Sequence, residues 1–141
     1  MFANLQAVLT SFAILSIGVA VGGAWICAIA APNVFFDKLD AGRANTQVRA
    51  LILSGSTPIS GLLLAGGCCA ILGGALGAGI LSLLAAVGFF MNRWTLAPAK
   101  KGDRPPGART SRKGQRVVAV SLSLLFMAVG LVAGVLAIFG I

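Results

Sequence analysis

The sequence predicts an all-α integral membrane protein, a four-helix antiparallel bundle that forms one domain over residues 1–141. Three observations lead to this fold class. Hydrophobic residues make up 58% of the chain and charged residues only 10%, whereas a soluble domain has about 25% charged residues. Apolar runs of the roughly 20 residues that cross a bilayer occur four times. The Lys and Arg residues lie between these runs or at their edges.

The four apolar runs occupy residues 5–31, 50–72, 76–96 and 117–141. Ala28-Ile29-Ala30 has the small-x-small form of a signal-peptide cleavage site. However, residues 1–6 contain no Lys or Arg and the apolar run is too long for a signal peptide, so we expect a retained first span. Pro32 predicts that its helix stops at or just before Ala31, because the residue before a proline avoids the α conformation.

Two polar loops, residues 32–49 and 97–116, and one short turn connect the predicted spans. The second loop mixes prolines and glycines with charges, a composition typical of a mobile segment. Residues 73–79 contain four glycines and no charge, which predicts a tight turn. Two long helices joined by so short a turn are antiparallel neighbours.

The charge distribution predicts the orientation of the chain. The net charge is +8, and all eleven Lys and Arg residues fall in or beside the two polar loops. The positive-inside rule places both loops in the cytoplasm. We therefore expect a multi-pass protein of the bacterial inner membrane with both termini on the non-cytoplasmic side. Trp25 and Trp94 lie near the cytoplasmic ends of their spans, which agrees with the preference of indoles for the interface.

The second loop and its borders carry a strongly basic cluster. We predict that it binds anionic lipid headgroups on the cytoplasmic side or docks onto an acidic partner; the alternative is that it only fixes topology. No basic fold with interleaved aromatic residues is present, so nucleic acid is not an expected partner. The cluster consists of Arg93, Lys100, Lys101, Arg104, Arg109, Arg112, Lys113 and Arg116.

The second span contains an unusual small and polar segment, comprising Ser54, Ser56, Thr57, Pro58 and Ser60. Pro58 lacks a backbone donor and crowds the carbonyl of Ser54, which predicts a kink. Hydroxyl groups can satisfy the backbone groups that a kink releases. The segment therefore predicts a broken helix that lines a small-ligand cavity, or close packing of helices around a kink.

Chemically reactive side chains are scarce. The chain has no His, Glu or Tyr, and its carboxylates Asp37, Asp40 and Asp103 lie in the loops. Cys27 is expected near one end of its span, whereas Cys68 and Cys69 are expected near the opposite end of theirs, so they cannot share an ion within one protomer. We predict no catalytic residue, no metal site and no cofactor.

Glycine pairs recur at the four-residue spacing that allows helices to pack closely in lipid. Gly18 and Gly22 lie in the first span, and Gly130 and Gly134 in the fourth. Packing within the bundle is the expected role, and a dimer seam is the alternative. The two halves of the chain also resemble each other in layout, as an internal duplication or as two hairpins under the same topological rules.

Several short motifs resemble those of a family of small four-span membrane proteins. They are Gly22-Gly23-Ala24-Trp25, Ala31-Pro32-Asn33-Val34-Phe35, Ala41-Gly42 after Leu39, and Leu96-Ala97-Pro98. This uncharacterised bacterial family is similar in layout to the transmembrane domain of copper-resistance protein D. Members often carry Leu-His-Arg where this chain has Gly114-Gln115-Arg116, and this departure counts against a haem or metal role here. The resemblance implies a fold rather than a function.

We therefore predict a non-enzymatic small membrane protein, an accessory or structural subunit of a larger membrane complex. Its expected partners are membrane lipids and other membrane-protein subunits or further copies of itself. The alternative is an oligomeric transporter of a small solute or ion that uses the break at Ser54–Gly61.

The predicted orientation is tested by cysteine labelling in intact cells. A cysteine placed at Ala108 should be protected from an impermeant thiol reagent, whereas one appended after Ile141 should react, since the two positions are expected on opposite sides. The opposite labelling pattern would contradict the predicted orientation. Labelling of both positions would contradict the arrangement of spans that separates them.

Overall fold

The computed structural model describes the backbone of residues 2–95 and 108–141 and the side chains of residues 4–92 and 117–141. Regular structure in this part of the chain is entirely helical, which confirms the all-α class. The elements are α1 (Phe2–Trp25), a π-helical turn (Ile26–Ala30), α2 (Ala31–Lys38), α3 (Ala41–Leu72), α4 (Leu76–Thr95) and α5 (Ala108–Phe139).

Among the residues whose side chains the structure describes, three helical segments are long and apolar enough to cross a membrane: Asn4–Lys38, Ala41–Leu72 and Val117–Phe139. The described side chains of α4 form a shorter apolar stretch, Leu76–Asn92. These lengths and compositions support a multi-pass membrane protein.

Pro32 does not end the first helix, so that expectation was wrong. The amide of Ala31 donates to the carbonyl of Ile26, a five-residue separation that defines a π-turn. This turn shifts the hydrogen-bond register just before Pro32, which then lies in the first turn of α2. A proline is tolerated there because amides in the first turn have no partner within the helix. The helical path therefore continues to Lys38.

The two predicted loops are largely helical where the structure describes them. Residues 32–49 belong to α2 and α3 apart from the corner at Leu39 and Asp40, so the connection predicted between the first two spans is mostly helical. Residues 108–116 form the start of α5, because they contain no proline and several good helix formers. The rest of the second predicted loop lies outside the described residues.

The predicted turn between α3 and α4 is confirmed and is tighter than expected. The amide of Ala75 donates to the carbonyl of Ala70 at 2.9 Å, and that of Gly74 to Ile71 at 3.1 Å. These two bonds form a Schellman motif, in which Gly74 has a φ of 95°, a conformation that favours glycine. Gly77 and Gly79 already belong to α4.

The end of α5 repeats this motif and contacts the start of α4. Gly140 has a φ of 73°, and the amide of Ile141 donates to Leu136 at 3.1 Å. The main-chain oxygen of Ile141 then accepts a bond of 3.0 Å from the amide of Ala78. An amide left without a partner costs several kcal/mol in lipid, so this contact stabilises the first turn of α4.

Helices α1 and α4 each pack against both α3 and α5. Most of the buried apolar residues are alanines, and the largest fully buried apolar side chains are Ile17, Leu63 and Val48. Small residues let helix backbones approach closely, which is the main attraction between helices in lipid. Large apolar side chains such as Phe12 and Ile138 are instead exposed.

Adjacent glycines bring α3 close to two neighbours at once. A Cβ added to Gly66 would lie 2.9 Å from Cγ1 of Ile17 in α1, and one added to Gly67 would lie 3.1 Å from the carbonyl oxygen of Gly79 in α4. The first distance is shorter than real Cβ atoms show, and the second is tighter than most real Cβ contacts. The two glycines therefore hold α1 and α4 against adjacent sides of α3.

The Gly67–Gly79 approach can be tested by adding one methyl group. In Gly79→Ala the new Cβ would overlap Ile71 and lie 3.0 Å from the Gly67 carbonyl oxygen, so we expect a loss of about 1–3 kcal/mol from overpacking. Gly61→Ala is the matched control, because nothing lies within 4 Å of its added Cβ. Thermal unfolding in detergent should show a lower Tm only for Gly79→Ala; equal Tm values would contradict the close approach.

Candidate functional site

The polar segment of the second predicted span lies in the middle of α3, which is helical on both sides of Pro58. Its polar side chains divide between two faces. Ser54, Thr57 and Pro58 are exposed, whereas Ser56 and Ser60 are buried. The structure therefore does not bring the five residues together into one polar surface.

The buried hydroxyls of this segment are engaged in hydrogen bonds. Ser56 Oγ donates to the carbonyl of Ile52 at 2.6 Å, one turn earlier in α3. Ser60 Oγ donates to the carbonyl of Ala86 in α4 at 2.8 Å. On the exposed face, Ser54 Oγ donates to the carbonyl of Leu51 at 3.1 Å. These contacts favour packing of α3 against α4 over the lining of a ligand cavity.

A second hydroxyl completes a reciprocal link between α3 and α4. Ser82 in α4 donates to the carbonyl of Leu63 in α3 at 2.7 Å, while Ser60 donates in the opposite direction. Each bond joins a side chain of one helix to the backbone of the other. In a membrane such bonds contribute about 0.6 kcal/mol on average and up to about 1.7 kcal/mol.

A buried amide links α4 to α5. Nδ2 of Asn92 donates to Ser123 Oγ at 2.8 Å, and Ser123 donates in turn to the carbonyl of Ala119 at 2.8 Å. Asn92 is completely buried. Polar side chains within membrane helices are expensive unless they face other helices, which explains this inward position.

Aromatic packing borders this hydrogen bond. The rings of Phe89 and Phe126 have centroids 6.5 Å apart and are tilted by 55°. Phe126 lies so close to Gly88 that an added Cβ would overlap its ring. The ring thus uses the space that glycine leaves, and it adds an apolar contact beside the Asn92–Ser123 bond.

Sequence reasoning did not select Ser82, Asn92 or Ser123. A signal was present, because a single polar residue within an apolar helix is expected to face the bundle. Asn92 was obscured by its position next to Arg93 and Trp94, where the span was expected to reach the interface.

The three thiols lie in two separate places. Cys27 lies in the π-turn against α3, and a Cβ added to Gly55 would be 2.7 Å from its Sγ. Cys69 packs instead beside Ala13 and Ala75 near the α3–α4 turn. Among the described residues, no group of three potential metal ligands comes together.

The predicted basic cluster is only partly described. Arg93 lies in the last turn of α4, and Arg109, Arg112, Lys113 and Arg116 lie in the first turns of α5. Lys100, Lys101 and Arg104 lie outside the described residues.

The fold brings the basic ends of the helices together. Val48 and Ile52 of α3 pack with Ala119 of α5, just beyond the basic residues of both helices. The opposite end holds the Gly73–Gly74 turn and Ile141. Lys38, Arg43 and Arg49 therefore share an end of the molecule with the start of α5.

Comparison with known proteins gave no matching family model, no similar curated protein and no similar solved structure. The resemblance to the four-span family described above therefore stays an expectation from the sequence.

The Asn92–Ser123 bond can be tested with paired serine variants of α5. Ser123→Ala removes the acceptor of a buried amide, so we expect a loss of up to about 1.7 kcal/mol. Ser121→Ala is the matched control on the same helix, because Ser121 is exposed and its change should be close to neutral. Unfolding in detergent measures both variants, and equal effects would contradict a stabilising role for this bond.

Proposed function

We propose that this chain is a non-enzymatic subunit of a larger membrane assembly, in which its role is structural. It would lie in the bacterial inner membrane as an antiparallel bundle of four spans, with both termini on the non-cytoplasmic side. The observation that carries the proposal is a face of α1, centred on Gly18 and Gly22, that none of the described residues covers and that another helix could approach closely.

The order of contacts supports antiparallel neighbours. From the turn outwards, Gly67 of α3 approaches Gly79 of α4, and Ser60 of α3 reaches Ala86 of α4. Residue numbers along the contact thus decrease in α3 as they increase in α4, which is the order expected for antiparallel helices. The proposed orientation follows from the basic residues gathered at one end, which the positive-inside rule assigns to the cytoplasm.

The two glycine pairs have different surroundings. An added Cβ at Gly130 would contact Val21 at 3.3 Å, and one at Gly134 would contact Ile17 at 3.4 Å. This pair packs within the bundle, as expected. At Gly18 and Gly22 an added Cβ would meet no described atom within 4 Å, so packing within the bundle was the wrong expectation for this pair among the described residues.

The side chains around Gly18 and Gly22 are suited to contact with another helix. Leu15 and Val19 border the glycines and are 65% and 54% exposed. A Gly-x-x-x-Gly face bordered by large apolar side chains allows backbones to approach closely and the side chains to pack around them. A span of a partner subunit has the chemistry to occupy this face.

The polar groups of the chain support a structural role. Ser56, Ser60, Ser82 and Ser123 donate to backbone carbonyls of the same or a neighbouring helix. The described carboxylates Asp37 and Asp40 lie at the corner between α2 and α3, away from these serines. An oligomeric transporter remains the alternative, in which further copies of the chain would occupy the α1 face.

Co-purification with paired glycine variants tests the proposal. In mild detergent the wild-type chain should retain a stoichiometric membrane partner, identified by mass spectrometry. The double variant Gly18→Leu, Gly22→Leu should lose that partner while its own Tm stays unchanged, because the leucines block close approach only at the outer face.

The control is Gly61→Leu, which adds the same bulk at a site where nothing lies within 4 Å. It should keep the partner. A homogeneous homo-oligomer without other proteins would favour the transporter alternative. A partner that both variants retain would contradict the use of the α1 face.

A further inference from the structure

The helix α5 extends well beyond its apolar part. The described helix begins at Ala108, whereas its apolar run begins at Val117, directly after Arg116. Nine residues therefore precede the apolar part, about 13 Å at 1.5 Å per residue. The headgroup region is about 5–8 Å thick on each side of a bilayer. This extension, residues 108–116, is thus long enough to pass through the headgroups and reach the surface.

The basic residues of the extension share one face of the helix. Arg109, Arg112, Lys113 and Arg116 are separated by three, one and three positions. At about 100° per residue they fall within a sector of about 100°. We call these four positions the basic stripe.

The basic stripe continues the face of α5 that packs against the bundle. Arg116 lies three positions before Ala119 and Arg112 lies seven positions before it, so all three share one side of the helix. Ala119 is buried with Val48 and Ile52 of α3. The stripe is therefore in register with the side of α5 that adjoins α3.

Positive charge at this end exceeds the negative charge available in the described chain. Lys38 ends α2, and Arg43 lies in the first turn of α3. The carboxylates among the described side chains, Asp37 and Asp40, are both exposed at the corner between these helices. The first turn of α5 contains no acidic residue, so the basic positions near its start lie at the positive end of the helix dipole without a compensating charge in that turn. An anion supplied from outside the chain would relieve both repulsions.

We propose that the basic stripe binds the phosphodiester headgroups of anionic phospholipids at the bilayer surface. The helix that carries the stripe is continuous with the membrane-crossing part of α5, which fixes the stripe at headgroup depth. Each cation near an anionic leaflet contributes enough for about a fivefold preference. This inference depends on the membrane embedding proposed above and does not depend on a partner subunit.

Lipid titration of the purified full-length protein tests the proposal. Native mass spectrometry from detergent gives the Kd for phosphatidylglycerol and for phosphatidylcholine, and their ratio is the headgroup preference. In Arg109→Gln, Arg112→Gln, Lys113→Gln, Arg116→Gln we expect the preference to fall about tenfold or more at low salt. Wild-type preference should also fall at high salt, because the Debye length shrinks from about 10 Å at 0.1 M to about 3 Å at 1 M.

A charge-preserving variant tests whether binding depends on the position of the cations on one helix face or only on their number. Exchanging each of three neighbouring pairs spreads the cations over about 200° of the helix without changing composition. The exchanges are Arg109→Thr with Thr110→Arg, Ser111→Arg with Arg112→Ser, and Gln115→Arg with Arg116→Gln. Its preference should fall towards that of the neutral variant. A preference equal to wild type would overturn the stripe as a binding face.

A control variant changes three basic residues that do not belong to the basic stripe, by Lys100→Gln, Lys101→Gln and Arg104→Gln. This variant should retain most of the phosphatidylglycerol preference. Circular dichroism and Tm verify that each variant is folded. If the neutral variant does not fold, the control variant and the salt series decide. The proposal would be overturned if the control variant lost the phosphatidylglycerol preference, or if the wild-type preference did not fall at high salt. Wild-type binding of polyglutamate without a phosphatidylglycerol preference would assign the stripe to an acidic protein and equally overturn it.

Discussion

Close approach of helix backbones is the constraint on which this fold depends. In lipid, apolar side chains gain little by leaving their surroundings for another helix, so association relies on van der Waals contact at short distance. Gly66 and Gly67 supply that contact on two sides of α3, against Ile17 and Gly79. The alanine-rich core and the outward position of the large apolar side chains follow from the same requirement.

Hydrogen bonds between helices add direction to this packing. The bonds from Ser60 and Ser82 link α3 with α4, and the bond from Asn92 to Ser123 links α4 with α5. Dispersion contacts between alanines and glycines tolerate sliding, whereas each of these bonds is satisfied at one relative position of the helices. The small residues therefore bring the helices together, and the polar residues fix their register.

The sequence revealed the helical class and the turn at Gly73–Gly74 because apolar run length and glycine content report on them directly. The sequence was misleading where the outcome depended on the surrounding structure as well as on neighbouring residues. Pro32 alone predicts the end of a helix, yet a π-turn just before it places it in the first turn of α2, and the helical path continues. The direction of each hydroxyl between Ser54 and Ser60 depends on which side of α3 its neighbours occupy. Likewise, identical spacing at Gly18–Gly22 and Gly130–Gly134 does not distinguish an outward pair from an inward one.

The unequal lengths of the helices have a consequence for the surrounding membrane. The described part of α4, Leu76–Thr95, has 20 residues and is about 30 Å long, whereas α3 has 32 residues and is about 48 Å long. A typical hydrocarbon core is about 30 Å thick. Because the turn and Ile141 hold the start of α4 level with the ends of α3 and α5, the surplus length of those helices falls at the basic end. In the membrane embedding proposed above, the described length of α4 matches the thickness of the hydrocarbon core, so hydrophobic mismatch in a thicker or thinner membrane would act on this helix.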